Sequence, residues 1–458
     1  MDPGAAHLVG VGGIGLSGLA RLLAARGYSV TGSDLRPNAQ TSDLEALGIR
    51  ISVGHDAANL PSPCTLVVRS AAVGDDNPEI AAARAANIPV MLHAEMLGRL
   101  MGERSGIAVA GCHGKTTTTA MISYILSRAG FEPSFLCGGV IPQLHTNAFG
   151  GTGKHFVAEA CEFNRSFLSL KPQCAVITNI EEDHLDYYKD LDEIAAAFGA
   201  FAALVGEKGT VIGGVDSPPV AELIPKLKGK GESYSIEKDA DWCAKKIVVE
   251  GGQWRFDVQK YGKAYGSFAL AVPGIHNVSN ALAAIAACTW AGVGRELIEL
   301  ALTEFTGAER RFQVLGERNG AVVIDDYGHH PTEIQATLRA VKERFPGKKI
   351  WCVFQPHQFS RTRVFMNEFA RSFGDAQLVL LPEIYEARDG DAEKHKVSSE
   401  HLKKKLDENG KAALFMPSFD HVVAFLEDKV DPSVVVVTMG AGNVDEVARR
   451  FLKSPVRA

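Results

Sequence analysis

The sequence has no excess of basic residues, because 48 lysines and arginines face 54 aspartates and glutamates, a formal net charge of −6. That balance provides no broad positive field for nucleic acid or an anionic membrane. No apolar run approaches the roughly 18 residues of a membrane-spanning helix. The first residues also lack the basic region and apolar core of a signal peptide. We therefore expect no nucleic acid, no membrane and no obligate protein partner.

Closely spaced cysteine pairs are missing as well. The eight cysteines are scattered, and the nearest two, Cys161 and Cys174, lie thirteen residues apart. No Cys-x-x-Cys pair is therefore available for zinc or redox chemistry. Free thiols are typical of a reducing compartment, so we expect a cytoplasmic protein.

What is present is the composition of an ordinary globular protein, 46% hydrophobic and 22% charged over 458 residues. At roughly 150 residues per domain, this length predicts about three domains. Strand-type runs alternate with helical patterns, which predicts an α/β fold with three sheets, and residues 226–270 predict a sheet excursion with little visible chemistry. The expected domains are 1–103, 104–307 and 308–458.

A candidate phosphate-binding loop organises the middle of the chain. The apolar run 107–110 predicts a buried strand, and helical spacing follows Lys115. Backbone N–H groups of the turn between them, with the helix dipole, would face an anion. Lys115 can reach the β- and γ-phosphates, and the Thr116 hydroxyl can bind magnesium. The turn is shorter than a full Walker A motif, because Val109 stands where that motif has its first glycine, and a simple turn with a helix cap is the alternative. The predicted ATP loop comprises Gly111, Cys112, His113, Gly114, Lys115, Thr116 and Thr117.

A second glycine-rich turn follows the first predicted strand. It comprises Gly10, Gly12, Gly13, Ile14 and Gly15. Glycines there let the backbone approach a pyrophosphate, and Asp34, at the end of the next strand, can accept a ribose hydroxyl. A nicotinamide dinucleotide and a UDP-sugar both carry a pyrophosphate. A nicotinamide-dependent dehydrogenase therefore stays open, although it leaves the Gly-Lys-Thr loop unexplained.

Polar residues gather where later strands are predicted to end. Glu159 ends one apolar run, and His184 follows the next. Ligands of open α/β sheets bind at the carboxyl ends of strands, so both should converge on phosphates held by Lys115. A carboxylate with the Thr116 hydroxyl suits magnesium. Imidazole is a less usual ligand of that ion, and a capping or solvated role for His184 is equally open.

Two further polar clusters lie toward the end of the chain. Asn277 and Asn280 precede a small-residue helix predicted over 281–287, and capping alone does not need both. Neighbouring residues of an extended strand face opposite sides, so at most one of Asp325 and Asp326 should face a shared site. The other polar residues at predicted strand ends are Tyr327, His329 and Arg361.

Eight motifs follow one another along the chain. They are Gly-x-Gly-Gly-x-Gly from Gly10, Gly-x-His-Gly-Lys-Thr-Thr from Gly111, Glu-Ala-x-Glu from Glu159, Thr-Asn-Ile-Glu-x-Asp-His from Thr178, His-Asn-x-x-Asn from His276, Arg-Arg-Phe from Arg310, Asp-Asp-Tyr-Gly-His-His-Pro from Asp325 and Phe-Gln-Pro-His from Phe354. In these motifs and their order the sequence resembles the Mur ligase family over nearly its whole length.

The resemblance implies a Rossmann-like N-terminal domain for a UDP-sugar, a central P-loop-type ATPase domain, and a Rossmann-like C-terminal domain that closes over both. The implied catalytic residues are Lys115, Glu159, His184 and Arg311. The implied Mg²⁺ ligands are Thr116, Glu159 and His184. Beyond the loop, the implied ATP contacts are Asn277, Asn280, Arg311 and Asp326. The implied UDP-sugar contacts are Gly10, Gly12, Gly13, Ile14, Gly15, Asp34 and Ser70. The implied amino-acid contacts are Tyr327, His329 and Arg361.

The resemblance also implies a reaction, the ATP-dependent ligation of L-alanine to the lactyl carboxylate of UDP-N-acetylmuramate in peptidoglycan precursor synthesis. A ligase that attaches a preformed tripeptide to the same sugar is an alternative, and so is a nucleotide sensor without catalysis. Many relatives have arginine where this sequence has Gln358, so Arg361 would meet the alanine carboxylate with one cation fewer.

Such a reaction explains why cations and carboxylates would gather at the phosphate loop. A carboxylate is a poor acyl donor until ATP converts it to an acyl phosphate, which the amine then attacks. Bringing the triphosphate and the sugar acid together demands Lys115, Arg311 and magnesium. Excluding water from the acyl phosphate demands domain closure. The base that accepts the amine proton stays open between His184 and a water.

Overall fold

The computed structural model describes residues 3–227, 231–387, 389 and 391–454, and three separate β-sheets divide the chain. The predicted α/β fold with three sheets is confirmed. Residues 228–230 of the predicted sheet excursion lie outside the described residues. Among the helices in the described ranges, none has both the length and the apolar character needed to cross a bilayer.

The first domain is built on a five-stranded sheet. Its strands are β1 (Ala5–Val9), β2 (Ser29–Asp34), β3 (Arg50–Val53), β4 (Leu66–Arg69) and β5 (Val90–Leu92). Its helices are α1 (Ile14–Ala25), α2 (Ala39–Ala46), α3 (Pro78–Ala85) and α4 (His93–Met101). All neighbours are parallel, in the order β3-β2-β1-β4-β5. This is the Rossmann-type arrangement, in which the strand order reverses beside β1 and opens a crevice at its carboxyl end.

The second domain is built on a ten-stranded sheet with the phosphate loop near its centre. Its strands are β6 (Ser105–Ala110), β7 (Ser134–Ile141), β8 (Thr146–Phe149), β9 (His155–Glu159), β10 (Cys174–Ile177), β11 (Thr210–Gly214), β12 (Gly231–Ser235), β13 (Trp242–Glu250), β14 (Gln253–Lys260) and β15 (Lys263–Leu270). Its helices are α5 (Lys115–Arg128), α6 (Leu191–Ala203), α7 (Pro218–Leu223), α8 (Ile275–Trp290) and α9 (Arg295–Glu304). The order is β15-β14-β13-β12-β11-β10-β6-β9-β7-β8. Since β6 lies between the parallel strands β9 and β10, the segments that follow all three strands meet at one edge.

The third domain is built on a six-stranded sheet. Its strands are β16 (Gln313–Arg318), β17 (Ala321–Asp326), β18 (Lys349–Phe354), β19 (Leu378–Leu381), β20 (Ala413–Phe415) and β21 (Val434–Met439). Its helices are α10 (Pro331–Arg344), α11 (Phe359–Val364), α12 (Met366–Ser372), α13 (Asp391–Lys394), α14 (Ser399–Glu408), α15 (Phe419–Lys429) and α16 (Asp445–Lys453). The order is β16-β17-β21-β18-β19-β20, and only β16 runs antiparallel to its neighbour.

The three domains are joined in two different ways. One buried apolar cluster runs from the first domain into the second, where Leu19 and Leu22 of α1 belong with Leu136 of β7 and Ala148 of β8. The third domain has buried clusters of its own on both faces of its sheet. Its contacts with the second domain include ion pairs and hydrogen bonds around the phosphate loop, and Leu185 of the second domain packs against one of its apolar clusters.

Candidate active site

Two glycines with positive φ shape the loop between β6 and α5. Gly111 has φ 140° and Gly114 has φ 79°. A Cβ atom on Gly111 would lie 1.9 Å from Thr178 Oγ1, and one on Gly114 would lie 2.4 Å from Asn280 Oδ1. Both positions therefore require glycine, because any side chain would meet the segment after β10 or the helix α8.

Lys115 is folded back over this loop. Its Nζ donates to the carbonyl oxygens of Gly111 at 2.6 Å and Cys112 at 3.0 Å, and lies 3.1 Å from Glu162 Oε1. Burial alone would lower the pKa of Lys115, but the Glu162 carboxylate raises it above its ordinary value. Lys115 is therefore a fixed positive charge inside the loop.

Thr116, Glu159 and Arg311 meet beside this lysine, although they come from distant parts of the chain. Thr116 Oγ1 donates to Glu159 Oε2 at 2.9 Å. Glu159 Oε2 also accepts the N–H of Gly138 at 2.9 Å. Arg311 Nη2 donates to Thr116 Oγ1 at 3.4 Å. The structure thus brings these three predicted residues into one site.

His184 faces carboxylates at the same edge. Its Nε2 lies 3.4 Å from Glu162 Oε1 and 3.7 Å from Asp183 Oδ2. Glu162 was not predicted as a site residue, although the Glu-Ala-x-Glu motif contains it and its position three residues after Glu159 was a usable signal. Burial alone would raise the pKa of Glu162, but Lys115 lowers it, so this carboxylate is charged.

Two cavities adjoin the phosphate loop. The larger, about 390 Å³, is of a size that binds small molecules and is lined by Asn277, Asn280, Arg311 and Asp326. The smaller, about 260 Å³, is lined by Lys115, Glu159, His184, Tyr327, His329 and Arg361. Both are lined by His113, Gly114, Thr116, Arg311 and Glu333. The predicted nucleotide contacts outside the loop and the predicted amino-acid contacts therefore line two different cavities that share one loop.

The helix that carries Asn277 and Asn280 begins earlier than predicted, at Ile275 instead of residue 281. Gly274, with φ 96°, turns the chain into it, and Asn277 Nδ2 donates to the Pro273 carbonyl oxygen at 2.6 Å. Asn280 Nδ2 donates to Asn277 Oδ1 at 3.1 Å. The sequence pattern places the start of this helix too late, because the first turn is polar and its asparagines are buried against the cavity and not exposed to solvent.

Asp325 and Asp326 point to opposite sides of β17, as expected. Asp326 faces the larger cavity and accepts the N–H groups of Phe312 at 2.8 Å and Gly328 at 2.7 Å. Burial raises the pKa of Asp326 to about 6. Asp325 instead accepts Arg310 Nε at 3.0 Å.

Arg361 is buried and already paired. Its Nη2 donates to Asp183 Oδ1 at 2.9 Å, and its Nη1 lies 3.3 Å from His357 Nδ1. Burial alone would raise the pKa of Asp183, but Arg361 lowers it. Burial lowers the pKa of His329 to about 3. The cation at the predicted amino-acid site is therefore paired with a carboxylate of the second domain, and no sequence pattern indicates this pair.

The predicted UDP-sugar residues meet at the carboxyl edge of the first sheet. They are Gly10, Gly12, Gly13, Ile14, Gly15, Asp34 and Ser70. Asp34 Oδ2 accepts the Gly12 N–H at 2.8 Å, so this carboxylate braces the turn. Asn147 of β8 donates to the Ile14 carbonyl oxygen at 3.0 Å, which ties the turn to the second domain.

Three family models match the chain in succession. The model described as "Mur ligase family, catalytic domain" matches residues 5–105. The "Mur ligase middle domain" matches residues 109–288, and the "Mur ligase, glutamate ligase domain" matches residues 310–442.

Curated relatives match over nearly their whole length. A UDP-N-acetylmuramate–L-alanine ligase of Carboxydothermus hydrogenoformans is 44% identical, with 98% of this chain and 96% of the relative covered. An enzyme of the same name from Acetivibrio thermocellus is 42% identical, with 98% and 95% covered.

Solved structures agree with the fold. A UDP-N-acetylmuramate-alanine ligase from Thermotoga maritima has a TM-score of 0.84 at 31% identity, with 98% of each chain covered. A murein peptide ligase from Psychrobacter arcticus has a TM-score of 0.73 at 27% identity, also with 98% of each chain covered.

Proposed function

Because the chain belongs to the Mur ligase family, we propose that it ligates L-alanine to the lactyl carboxylate of UDP-N-acetylmuramate, converting ATP to ADP and phosphate. The observation that carries this proposal is the pair of cavities that share one loop, with Arg311 lining both and Lys115 lining the smaller. Relatives of 42–44% identity carry the name of this ligase.

The geometry supports a two-step reaction. An oxygen of the lactyl carboxylate attacks the γ-phosphorus, and ADP leaves. The alanine amine then attacks the acyl carbon, its nitrogen gives a proton to a base, His184 or a water, and phosphate leaves as the amide forms. Lys115 and Arg311 offset the charge that the two anions bring together, and the N–H groups of the loop orient the phosphates.

We propose Thr116, Glu159 and His184 as the residues that hold Mg²⁺. Thr116 and Glu159 fit this ion, because a hydroxyl and a carboxylate 2.9 Å apart offer the hard oxygen ligands that it prefers. His184 lines the same cavity and would add an imidazole nitrogen, although its Nε2 faces Glu162 and Asp183. The neighbouring carboxylates of Glu162 and Asp183 add negative charge at the same edge. Bound there, the ion would supply positive charge against the triphosphate.

The remaining roles are proposed from position. Asn277 and Asn280, buried in the larger cavity, would hold adenine, and Asp326 would contact the nucleotide from the third domain. The glycine turn after β1, with Asp34 and Ser70, would hold the UDP-sugar. Amino-acid binding is proposed for Tyr327, His329 and Arg361. The domain bounds 1–103, 104–307 and 308–458 remain proposed, and the cytoplasmic location stays a prediction.

A phosphate-release assay tests the function. The reaction contains UDP-N-acetylmuramate, magnesium and ATP, with L-alanine, glycine, L-serine or the tripeptide L-alanyl-γ-D-glutamyl-meso-diaminopimelate added in separate arms. We expect release that requires the sugar nucleotide and is fastest with L-alanine. Faster release with the tripeptide would establish the alternative ligase, and no release in any arm would refute ligation.

A further inference from the structure

His113 of the phosphate loop lies between carboxylates of two domains. Its Nε2 lies 2.5 Å from Glu181 Oε1 in the second domain. Its Nδ1 lies 3.1 Å from Glu333 Oε1, on the first turn of α10 in the third domain. The imidazole is therefore one link between the loop and the third domain, beside the Arg311–Thr116 hydrogen bond.

This bridge requires a proton on each ring nitrogen. A neutral imidazole carries one N–H and would face one of the two carboxylates with a lone pair, whereas an imidazolium donates from both nitrogens. His330 lies beside the imidazole, with its ring centroid 4.7 Å from that of His113. Glu333 also faces Arg311 at 3.7 Å and His329 Nδ1 at 3.5 Å. Against these groups, the two carboxylates favour the imidazolium.

The backbone of His113 is held as firmly as its side chain. Its N–H donates to Asn179 Oδ1 at 2.9 Å, and its carbonyl oxygen accepts Thr178 Oγ1 at 2.5 Å and Asn179 Nδ2 at 3.1 Å. These bonds anchor the loop at His113 to the segment that follows β10, so the imidazole extends from a fixed backbone position.

Glu333 carries the link onward to the smaller cavity. Its Oε2 accepts the N–H groups of His329 at 2.9 Å and His330 at 3.2 Å, while Oε1 faces His113. The turn that holds Tyr327 and His329 is therefore fixed by a carboxylate whose other oxygen is fixed by the phosphate loop.

We propose that His113 is a positioning residue that, as a cation paired with Glu181 and Glu333, ties the phosphate loop to Glu333 and thereby sets the turn that receives the amino acid. The inference rests on the proposed function, because it assigns the smaller cavity to the amino acid. It adds a residue that couples nucleotide and amino-acid binding without touching the reacting atoms.

The protonation state is tested without catalysis. The full chain is labelled with ¹⁵N-histidine, and the His113 resonances are assigned by their absence in His113→Gln. We expect both ring nitrogens of His113 to be protonated at pH 8 in the unmutated chain. In Glu333→Gln at the same pH, we expect this doubly protonated signature to be lost. A neutral tautomer at pH 7 in the unmutated chain would overturn the bridge.

The coupling is tested by steady-state kinetics on His113→Gln, Glu333→Gln and the double variant. We expect each single change to raise KM for L-alanine about tenfold, the scale of one charge-assisted hydrogen bond, with a smaller effect on kcat. The KM for L-alanine of the double variant should be no higher than that of the more impaired single variant. Arg339→Gln and Glu343→Gln, an exposed pair on the same helix, serve as matched controls with unchanged KM.

The outcomes separate this inference from the proposed function. If the unmutated chain releases no phosphate with L-alanine, the proposed function fails and the coupling to an amino acid fails with it. If it is active but His113→Gln raises only KM for ATP, His113 merely shapes the loop. Additive effects of the two variants would likewise refute the coupling.

Discussion

The residues around Lys115 stabilise its positive charge. Two carbonyl oxygens and Glu162 surround its Nζ, so the ammonium is positioned before any phosphate arrives. Preorganised charges of this kind stabilise a transition state without reorganisation. We expect Lys115→Ala to lower kcat by about 10²-fold or more. Alanine-dependent phosphate release measures this, with the exposed Lys263→Ala as the control, and near-normal turnover would remove Lys115 from its role.

Two carboxylates lie close enough to Lys115 to compete for the magnesium role. Glu159 bonds the Thr116 hydroxyl, whereas Glu162 faces the lysine and His184. If Glu159 is the ligand, Glu159→Gln should raise the half-saturating Mg²⁺ concentration by about tenfold or more, the scale on which metal-site changes weaken binding. Glu162→Gln should mainly lower kcat. Titration of phosphate release with Mg²⁺ after removal of divalent ions compares the two variants, and the reverse ranking would exchange their roles.

At the scale of single elements, the strand β6, its turn and α5 form a unit that tolerates no side chain at Gly114. Gly130, which follows the same helix, also has positive φ, 76°, but a Cβ atom there would meet nothing within 4 Å. Gly130→Ala should therefore cost about 1 kcal/mol of unfolding free energy through backbone strain alone, with KM for ATP unchanged. Gly114→Ala adds the overlap with Asn280.

We expect Gly114→Ala to raise KM for ATP by about tenfold or more, since the loop must leave its position against α8. Urea unfolding and ATP-dependent kinetics of both alanine variants check this together. Equal changes in KM for the two variants would show that strain, not the contact with Asn280, governs the loop.

Local sequence patterns are sufficient to predict these elements, but they do not predict contacts between residues that lie far apart in the chain. The strand, glycine turn and helix around residue 111 follow from apolar spacing and glycine positions within a dozen residues. The start of α8 was missed because its polar first turn is buried against a cavity. The Arg361–Asp183 pair joins residues 178 positions apart, and no sequence pattern encodes such a contact. Glu162 could have been predicted as a site residue, because it is the last residue of the Glu-Ala-x-Glu motif.

At the scale of the whole molecule, the two joints between domains differ in chemistry. The first and second domains share a buried apolar cluster, whereas the second and third domains are joined by ion pairs and hydrogen bonds together with the apolar contact of Leu185. Apolar contacts do not depend on ionisation, but ion pairs do. Docking of the third domain should therefore respond to pH. The domain closure that the chemistry needs takes place at the same interface, between the second and third domains.

His113 gives this response a direction. Burial alone would lower its pKa, but Glu333 and Glu181 raise it from 6.5 to about 10. A group with a raised pKa contributes fully below its ordinary value, and its contribution is lost as pH rises from about 6.5 through 10. Asp326, with a pKa of about 6, titrates below this window. Docking of the third domain should therefore weaken progressively from pH 6.5 to 9.5.

Small-angle scattering of the full chain at several pH values measures this docking as the radius of gyration. We expect the radius of the unmutated chain to increase between pH 6.5 and 9.5, and that of His113→Gln to be larger at pH 6.5 and nearly constant above it. The shared apolar cluster keeps the first two domains together in both chains, so only the third domain can supply the change. An unmutated chain whose radius is independent of pH, or a variant that retains the full dependence, would show that the imidazole bridge does not hold the domains together.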